Sequence, residues 1–269
     1  MVGHIGNISN GITQTPEKFL FAEDTVDFAG FEITPDSARP CSKCLKAIEE
    51  FPRPTNITDV RSWFGVVNQV TYAFSMTSHM HPFRELLKPS TPFHWNTELE
   101  ESFQESKTKI VKEIQDGVRI FEPGRTTCLA TDWSKDGIGH VLYQKHSNCK
   151  GRDYTCCKTG WKTTLVGSRF TSPAESRYKP IEGEALAVAE GLDKTRYFIL
   201  GCPDLVVATD HQPLLKILGD RALEDVPNAR LRNLKEKTLR YKFTGQIHHN
   251  SCTRQKSCYC GCCVQIPKW

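Results

Sequence analysis

Residues from about 125 to 245 predict an α/β domain, a mixed sheet flanked by helices. Three observations carry that reading. β-rich runs separated by turn signals continue to Phe170, a long amphipathic helix begins near Ile181, and LVVATD at 205–210 is a continuous apolar strand of the kind buried on both faces. The chain has 269 residues, enough for two modest domains or a large one with a trailing piece.

The elements follow in order. Residues 18–33 alternate as a hairpin, with Glu23 and Asp24 as its polar turn. Pro52 and Pro54 break an early helix after Pro40, and Thr58-Asp59 offers an N-cap to the next. Trp63, Val66, Val67 and Val70 then recur at helical spacing. A further helix is expected over 98–114, with Leu99, Phe103 and Ile110 on one side.

The pattern changes near Pro123-Gly124. TTCLATDWS is a short β-run, Asp136-Gly137 signals a hairpin into IGHVLYQ, and WKTTLVGSRF gives a third strand after a polar, cysteine-bearing stretch at 145–160. A helix over 181–200 places Ile181, Ala185, Val188 and Leu192 on one face, with Glu190 opposite and solvated. Pro213 suits the first turn of QPLLKIL.

Composition excludes several classes. No apolar run approaches the ~20 residues of a membrane span, and MVGHIGNISNGITQ lacks the basic start and apolar core of a secretory signal. An intracellular protein is expected. Net charge is only +4, but nine Lys or Arg against Glu236 alone fall between Val226 and Trp269, a distribution that suits phosphate contact or a solvated basic helix. Most of the twelve cysteines fall into three groups: Cys41 and Cys44; Cys149, Cys156 and Cys157; and Cys252, Cys258, Cys260, Cys262 and Cys263. Cys41-x-x-Cys44 has no second ligand pair nearby. Cys149, Cys156 and Cys157, with His146, have the donor chemistry of a small metal site, against which stands the poor geometry of adjacent cysteines for one ion. The tail cysteines and His248-His249 are zinc-like only by composition.

The carboxylates point to chemistry. Leu129-Ala130-Thr131-Asp132 and Val207-Ala208-Thr209-Asp210 each run an apolar strand into Thr-Asp. An aspartate at the end of a buried strand loses hydration and needs a cation or hydrogen bonds in return. One such residue reads as a cap; two in matching contexts suggest a shared site. Glu182 and Glu184 flank the apolar stripe of the 181–200 helix, and geometry prefers Glu184 only slightly, through the small Ala187 and Gly191 on its side. Three such carboxylates suit Mg²⁺ or Mn²⁺, and a pair of ions about 4 Å apart can cleave a phosphodiester. His211, beside Asp210, is expected to be a packed neighbour.

TDWSKDGIG, GSRFTSPAESRYKPIEGEALAVAEGLDKTRYFILG and VVATDHQPL resemble the ribonuclease H domain of Ty3/gypsy-type retrotransposon Pol polyproteins. Upstream, KFLFAEDTVDFAGFEIT, AIEEFPRPTNITDVRSWFGVVNQVTYAFS and PFHWNTELEESFQESK resemble the end of the reverse transcriptase palm, its thumb and its connection. The resemblance spans about residues 16–245. It implies an RNase H-like mixed sheet, preceded by a partial palm hairpin and a helical thumb and connection. The expected division is a palm end over 1–40, thumb and connection over 41–123, the RNase H-like domain over 124–245, and a cysteine-rich tail over 246–269.

The resemblance also implies roles. Asp132, Glu184 and Asp210 match the metal-binding carboxylates, which settles the choice against Glu182. Gly30 and Phe31, within Phe28-Ala29-Gly30-Phe31, resemble the hairpin that grips the primer strand. The partner implied is an RNA–DNA hybrid, with Arg230, Arg232 and Lys235 of the basic helix on its phosphates and other Pol segments as possible neighbours. The compartment implied is the cytoplasm or a retroelement particle. The family's polymerase aspartate pair has no counterpart, since no Asp-Asp occurs in the sequence, so DNA synthesis is not expected. Family members continue past Tyr241 to a fourth aspartate, whereas residues 243–269 contain neither Asp nor Glu. That departure reads as an out-of-frame end that loses the final strand–helix unit. It keeps an alternative open, a non-catalytic nucleic-acid-binding remnant or pseudogene product.

Overall fold

The computed structural model describes residues 23–88, 91–151, 156–157, 159–219 and 221–247. The first run of the expected hairpin (18–22), the histidine pair and the tail cysteines lie outside them.

Strands β1 (Val26–Phe28), β2 (Phe31–Ile33) and β3 (Ser37–Pro40) form an antiparallel meander that β4 (Val118–Arg119) completes in the order β1-β2-β3-β4. The described hairpin turns at Ala29-Gly30, inside what the sequence reads as the second run, while the expected turn at Glu23-Asp24 borders residues outside those described. Both central residues have positive φ, 51° and 88°, the requirement of a type I′ hairpin turn, and Gly30 meets it without the cost a Cβ brings.

A helical layer follows: α1 (Ser42–Glu49), α2 (Ile57–Asn68), α3 (Met76–Met80), a 3₁₀ segment (His81–Leu87) and α4 (Thr97–Ile114). The N-cap of α2 is Asn56 rather than Thr58-Asp59. Its side chain accepts the Asp59 N–H at 3.0 Å, and the Asp59 carboxylate reaches back to the N–H and hydroxyl of Thr55. Asn96 caps α4 likewise, each cap contributing about 1 kcal/mol. Trp63 at the centre of this layer is fully buried, with Phe103 edge-on at 5.2 Å and Phe51 at 5.1 Å. Its truncation would cost about 3–5 kcal/mol.

The second sheet comprises β5 (Thr127–Trp133), β6 (Gly137–Lys145), β7 (Trp161–Phe170), β8 (Leu205–Thr209) and β9 (Thr244–Ile247), in the order β7-β6-β5-β8-β9. β5, β6 and β7 are antiparallel neighbours, whereas β8 runs parallel to both β5 and β9. Every residue of β8 is buried, as its unbroken apolar run requires. Helices α5 (Pro180–Lys194) and α6 (Arg196–Ile199), then α7 (Gln212–Leu218) and α8 (Ala229–Thr238), supply the flanking layer. The single helix expected over 181–200 breaks at Thr195, whose hydroxyl bonds back to the Gly191 carbonyl at 2.7 Å. The final strand expected to be lost is present as β9: Thr244-Gly245-Gln246-Ile247 pairs with Val206–Thr209, since backbone pairing needs no particular side chains.

The two sheets share the chain through the helical layer. The Val166 N–H of β7 donates to the Tyr72 carbonyl at 2.6 Å, and Arg84 donates to the Thr171 carbonyl at 2.8 Å while lying 4.7 Å over the Phe170 ring. Among the described residues no helix is long and apolar enough to cross a membrane.

Candidate metal centre

Parallel pairing of β5 and β8 places two carboxylates side by side. Ala130 pairs with Ala208, so Asp132 and Asp210, each two residues further on, project from corresponding positions at the carboxyl ends of adjacent strands. Sites gather at such strand ends in α/β sheets.

Helix α5 brings the third. Ala185, Val188 and Leu192 are buried against the sheet, as the helical spacing requires, and Ile181 packs at the edge of the same core. Small residues let the helix come close: a Cβ on Gly191 would lie 3.1 Å from the Thr131 methyl and 3.3 Å from the His140 Cβ. Glu184 is thereby carried in to 5% exposure. One carboxylate oxygen each from Asp132, Glu184 and Asp210 lies within 4.8 Å of the others.

The electrostatics of Glu184 show what this cluster needs. Burial first, then the charges of Asp210 and Asp132, push its carboxyl up to about 9, and the Trp133 backbone N–H only partly opposes them. Its Oε2 is buried with no hydrogen-bond partner. A buried carboxylate with one oxygen unpaired, clustered within 4.8 Å of two further carboxylates, fits a hard divalent cation, which would satisfy the oxygen and offset the repulsion at once. Asp210 is exposed, so the cluster opens to solvent on its side.

Glu182 is occupied elsewhere. It accepts from the Lys179 N–H at 3.1 Å, from Asn228 at 2.9 Å and from Arg230 at 3.0 Å, tying the start of α5 to the start of α8. The solvated position expected for Glu190 is corrected. Arg169 of β7 grips it through Nε at 2.7 and 2.8 Å, and holds Glu175 through its two terminal nitrogens at 2.8 Å each. Helical spacing places Glu190 off the apolar face but cannot reveal a cation arriving from the sheet.

The expected nucleic-acid contacts divide. Arg232 is exposed on α8. Arg230 stacks 4.1 Å over the Tyr178 ring beside its pairing with Glu182. Lys235 requires correction: it is 2% exposed, and its ammonium donates to the carbonyls of Ile217, at 2.7 Å, Gly219 and Arg221, so it anchors the end of α7 instead of reaching a phosphate. Gly30 occupies the hairpin turn. Phe31 turns inward onto Tyr72, ring centroids 5.0 Å apart, and leaves Phe28, 67% exposed, as the outward ring. Strand alternation does not separate the two rings, because Phe28 and Phe31 are register partners on one face of the hairpin. His211 caps α7, half-buried beside Asp210. A cleft of about 560 Å³ lies between α5 and α8, lined by Arg169, Glu190 and Arg240, and none of the three carboxylates lines it.

The comparisons with known proteins agree with this architecture. Residues 122–241 match the family described as the RNase H-like domain found in reverse transcriptase. Among curated relatives, the Pol polyprotein from transposon gypsy of Drosophila melanogaster is 27% identical over 216 residues, covering 76% of this chain and 19% of that protein. The one from transposon opus of the same species is 28% identical over 238 residues, covering 84% of this chain and 22% of that protein. A foamy viral protease-reverse transcriptase, solved in complex with an RNA/DNA hybrid, superposes with a TM-score of 0.68 at 15% identity over 94% of this chain and 33% of that one. This chain carries an RNase H-like domain of the reverse transcriptase class. It is similar to the Pol polyproteins of Ty3/gypsy-type retrotransposons and spans about a fifth of the length of the gypsy and opus proteins.

Proposed function

We propose that the RNase H-like domain hydrolyses the RNA strand of RNA–DNA hybrids at the cluster of Asp132, Glu184 and Asp210. The observation that carries this is the meeting of three carboxylates from separate elements within 4.8 Å, one of them, Glu184, buried with its Oε2 unpaired. Mg²⁺ or Mn²⁺, as a pair of ions, would supply a water activated for attack and charge stabilisation at the leaving oxygen. Asp132 and Glu184 hold the inner side of the cluster, with the Trp133 N–H fixing the Glu184 carboxylate. Asp210, exposed, borders the side from which a phosphodiester approaches.

Arg232 and, beside it, Arg230 of α8 meet the backbone phosphates, and Phe28 at the hairpin tip offers an apolar ring to a sugar or base. RNA is distinguished from DNA through its 2′-OH and helix shape rather than base sequence. The proposed activity is nuclease activity, without DNA synthesis. The foamy viral protein solved with an RNA/DNA hybrid supports a duplex of this type as the partner.

The test is incubation of the purified chain with a labelled RNA–DNA hybrid and Mg²⁺ or Mn²⁺, beside an Asp132→Asn variant. RNA cleavage that needs the metal and disappears in the variant is expected. Hybrid binding without cleavage by the folded protein would overturn the nuclease reading in favour of a binding remnant.

A further inference from the structure

The stretch between β6 and β7 gathers three thiols that the carboxylate site does not use. One Sγ each from Cys149, Cys156 and Cys157 lies within 4.8 Å of the others, and the set excludes His146. Against the poor geometry expected of adjacent cysteines for one ion stands the closeness of Cys156 and Cys157, whose Sγ atoms lie 3.3 Å apart. Tetrahedral coordination at about 2.3 Å per bond separates two sulfurs by about 3.8 Å, so a small opening of this pair admits an ion.

The surroundings are shaped around the thiols. A Cβ on Gly151 would fall 2.8 Å from the Cys156 Cβ and 3.5 Å from the Cys149 Sγ. One on Gly160 would fall 2.6 Å from the Ser147 Oγ and 2.9 Å from the Cys157 Cβ. Both glycines thus let backbone close over the cluster where any other residue would fill it. Ser147 fixes Cys157 by an Oγ–Sγ contact of 3.0 Å. Lys145, at the end of β6, donates to the carbonyls of Cys149, at 2.5 Å, and Gly151, which sets a positive charge beside the thiols.

We propose that Cys149, Cys156 and Cys157 form a soft-metal site for Zn²⁺ that pins the β6–β7 connection. Each thiol gives up its proton to solvent on binding, and a water completes the tetrahedron on the side of the exposed Cys149. Three thiolates on Zn²⁺ carry a single net negative charge, which the Lys145 ammonium offsets. Thiolate donors favour Zn²⁺ over Mg²⁺, whereas the oxygen donors of the carboxylate cluster suit a hard ion.

The experiment uses the full chain, purified under a thiol-free reductant, with Cys41, Cys44, Cys252, Cys258, Cys260, Cys262 and Cys263 replaced by Ser. Zinc stoichiometry and the Co²⁺–thiolate charge-transfer absorption are read. A single equivalent of zinc and a tetrahedral Co²⁺–thiolate spectrum are expected. Adding Cys149→Ser and Cys157→Ser is expected to weaken zinc binding by more than about 100-fold with an unchanged far-ultraviolet dichroism spectrum. The proposal is overturned if the chain with these replacements takes up no metal, if its cobalt spectrum lacks thiolate bands, or if mass spectrometry finds a disulfide among the three residues under reductant.

Discussion

Gly183 of α5 lies directly against the Trp133 indole, so that a Cβ at this position would collide with the Cδ2, Cε2 and Cε3 atoms of the ring. The same Trp133 donates its backbone N–H to Glu184. The contact therefore couples the seating of α5 to the placement of a carboxylate of the candidate metal cluster. Gly183→Ala is expected to push the ring or the helix aside, destabilise the domain by about 1–3 kcal/mol, and lower divalent-metal affinity. Thermal melts with and without Mg²⁺ measure both; an unchanged melting temperature would sink the coupling.

Glu184 makes the metal-free domain sensitive to pH. Its folded carboxyl stays protonated up to about 9, above its ordinary value of 4.5, so between these values the folded state holds a proton that the unfolded chain has lost. Stability of the metal-free fold from this group falls as pH rises through that window. Glu184→Gln removes the ionisable group and is expected to stabilise the metal-free domain near neutral pH by on the order of 1–3 kcal/mol, while abolishing the stabilisation Mg²⁺ provides. Melts in chelator and in Mg²⁺ distinguish the two effects. A variant less stable than wild type in chelator would contradict the account.

The Arg169 clamp works in the opposite direction. Its hydrogen bonds first, and the Ser172 N–H as well, hold Glu175 down at about 2, against an ordinary value of 4.5. A depressed carboxyl contributes stability that is present above the ordinary value and is lost as pH falls from about 4.5 toward 2. Glu175→Gln is expected to flatten the acid limb of the unfolding curve in this window. An acid titration followed by tryptophan fluorescence checks it, and a superimposable curve would refute the clamp's contribution.

Two basic residues of α8 are predicted to behave differently. Arg232→Ala is expected to weaken hybrid binding and reduce the slope of log affinity against log salt by about 1. Lys235→Met is expected to leave that slope unchanged and destabilise the fold by about 1–3 kcal/mol, because carbonyls of Ile217, Gly219 and Arg221 lose their donor. Binding isotherms across a salt series, paired with melts, separate the roles. Equal slope changes in both variants would show that inward-facing Lys235 is not the distinction that matters.

The sequence by itself determined the elements whose signal is periodic. The buried β8 run, the apolar face of α5 and the matching Thr-Asp strand ends were legible because burial, side-chain period and strand polarity are written in consecutive residues. So was the candidate set of carboxylates, which the structure brings within 4.8 Å of one another, once the motif resemblance had separated Glu184 from Glu182. Tertiary structure decided what depends on residues far apart in the chain. Arg169 reaches Glu190 across 21 positions, and Lys235 reaches the end of α7 across more than a dozen, so no local pattern shows that one charge is clamped and the other buried. The turn at Ala29-Gly30 and the meeting of Cys149 with Cys156 and Cys157 likewise follow from backbone geometry, which composition does not encode. Register, finally, is a property of two strands together: only the pairing of Ala130 with Ala208 sets Asp132 beside Asp210.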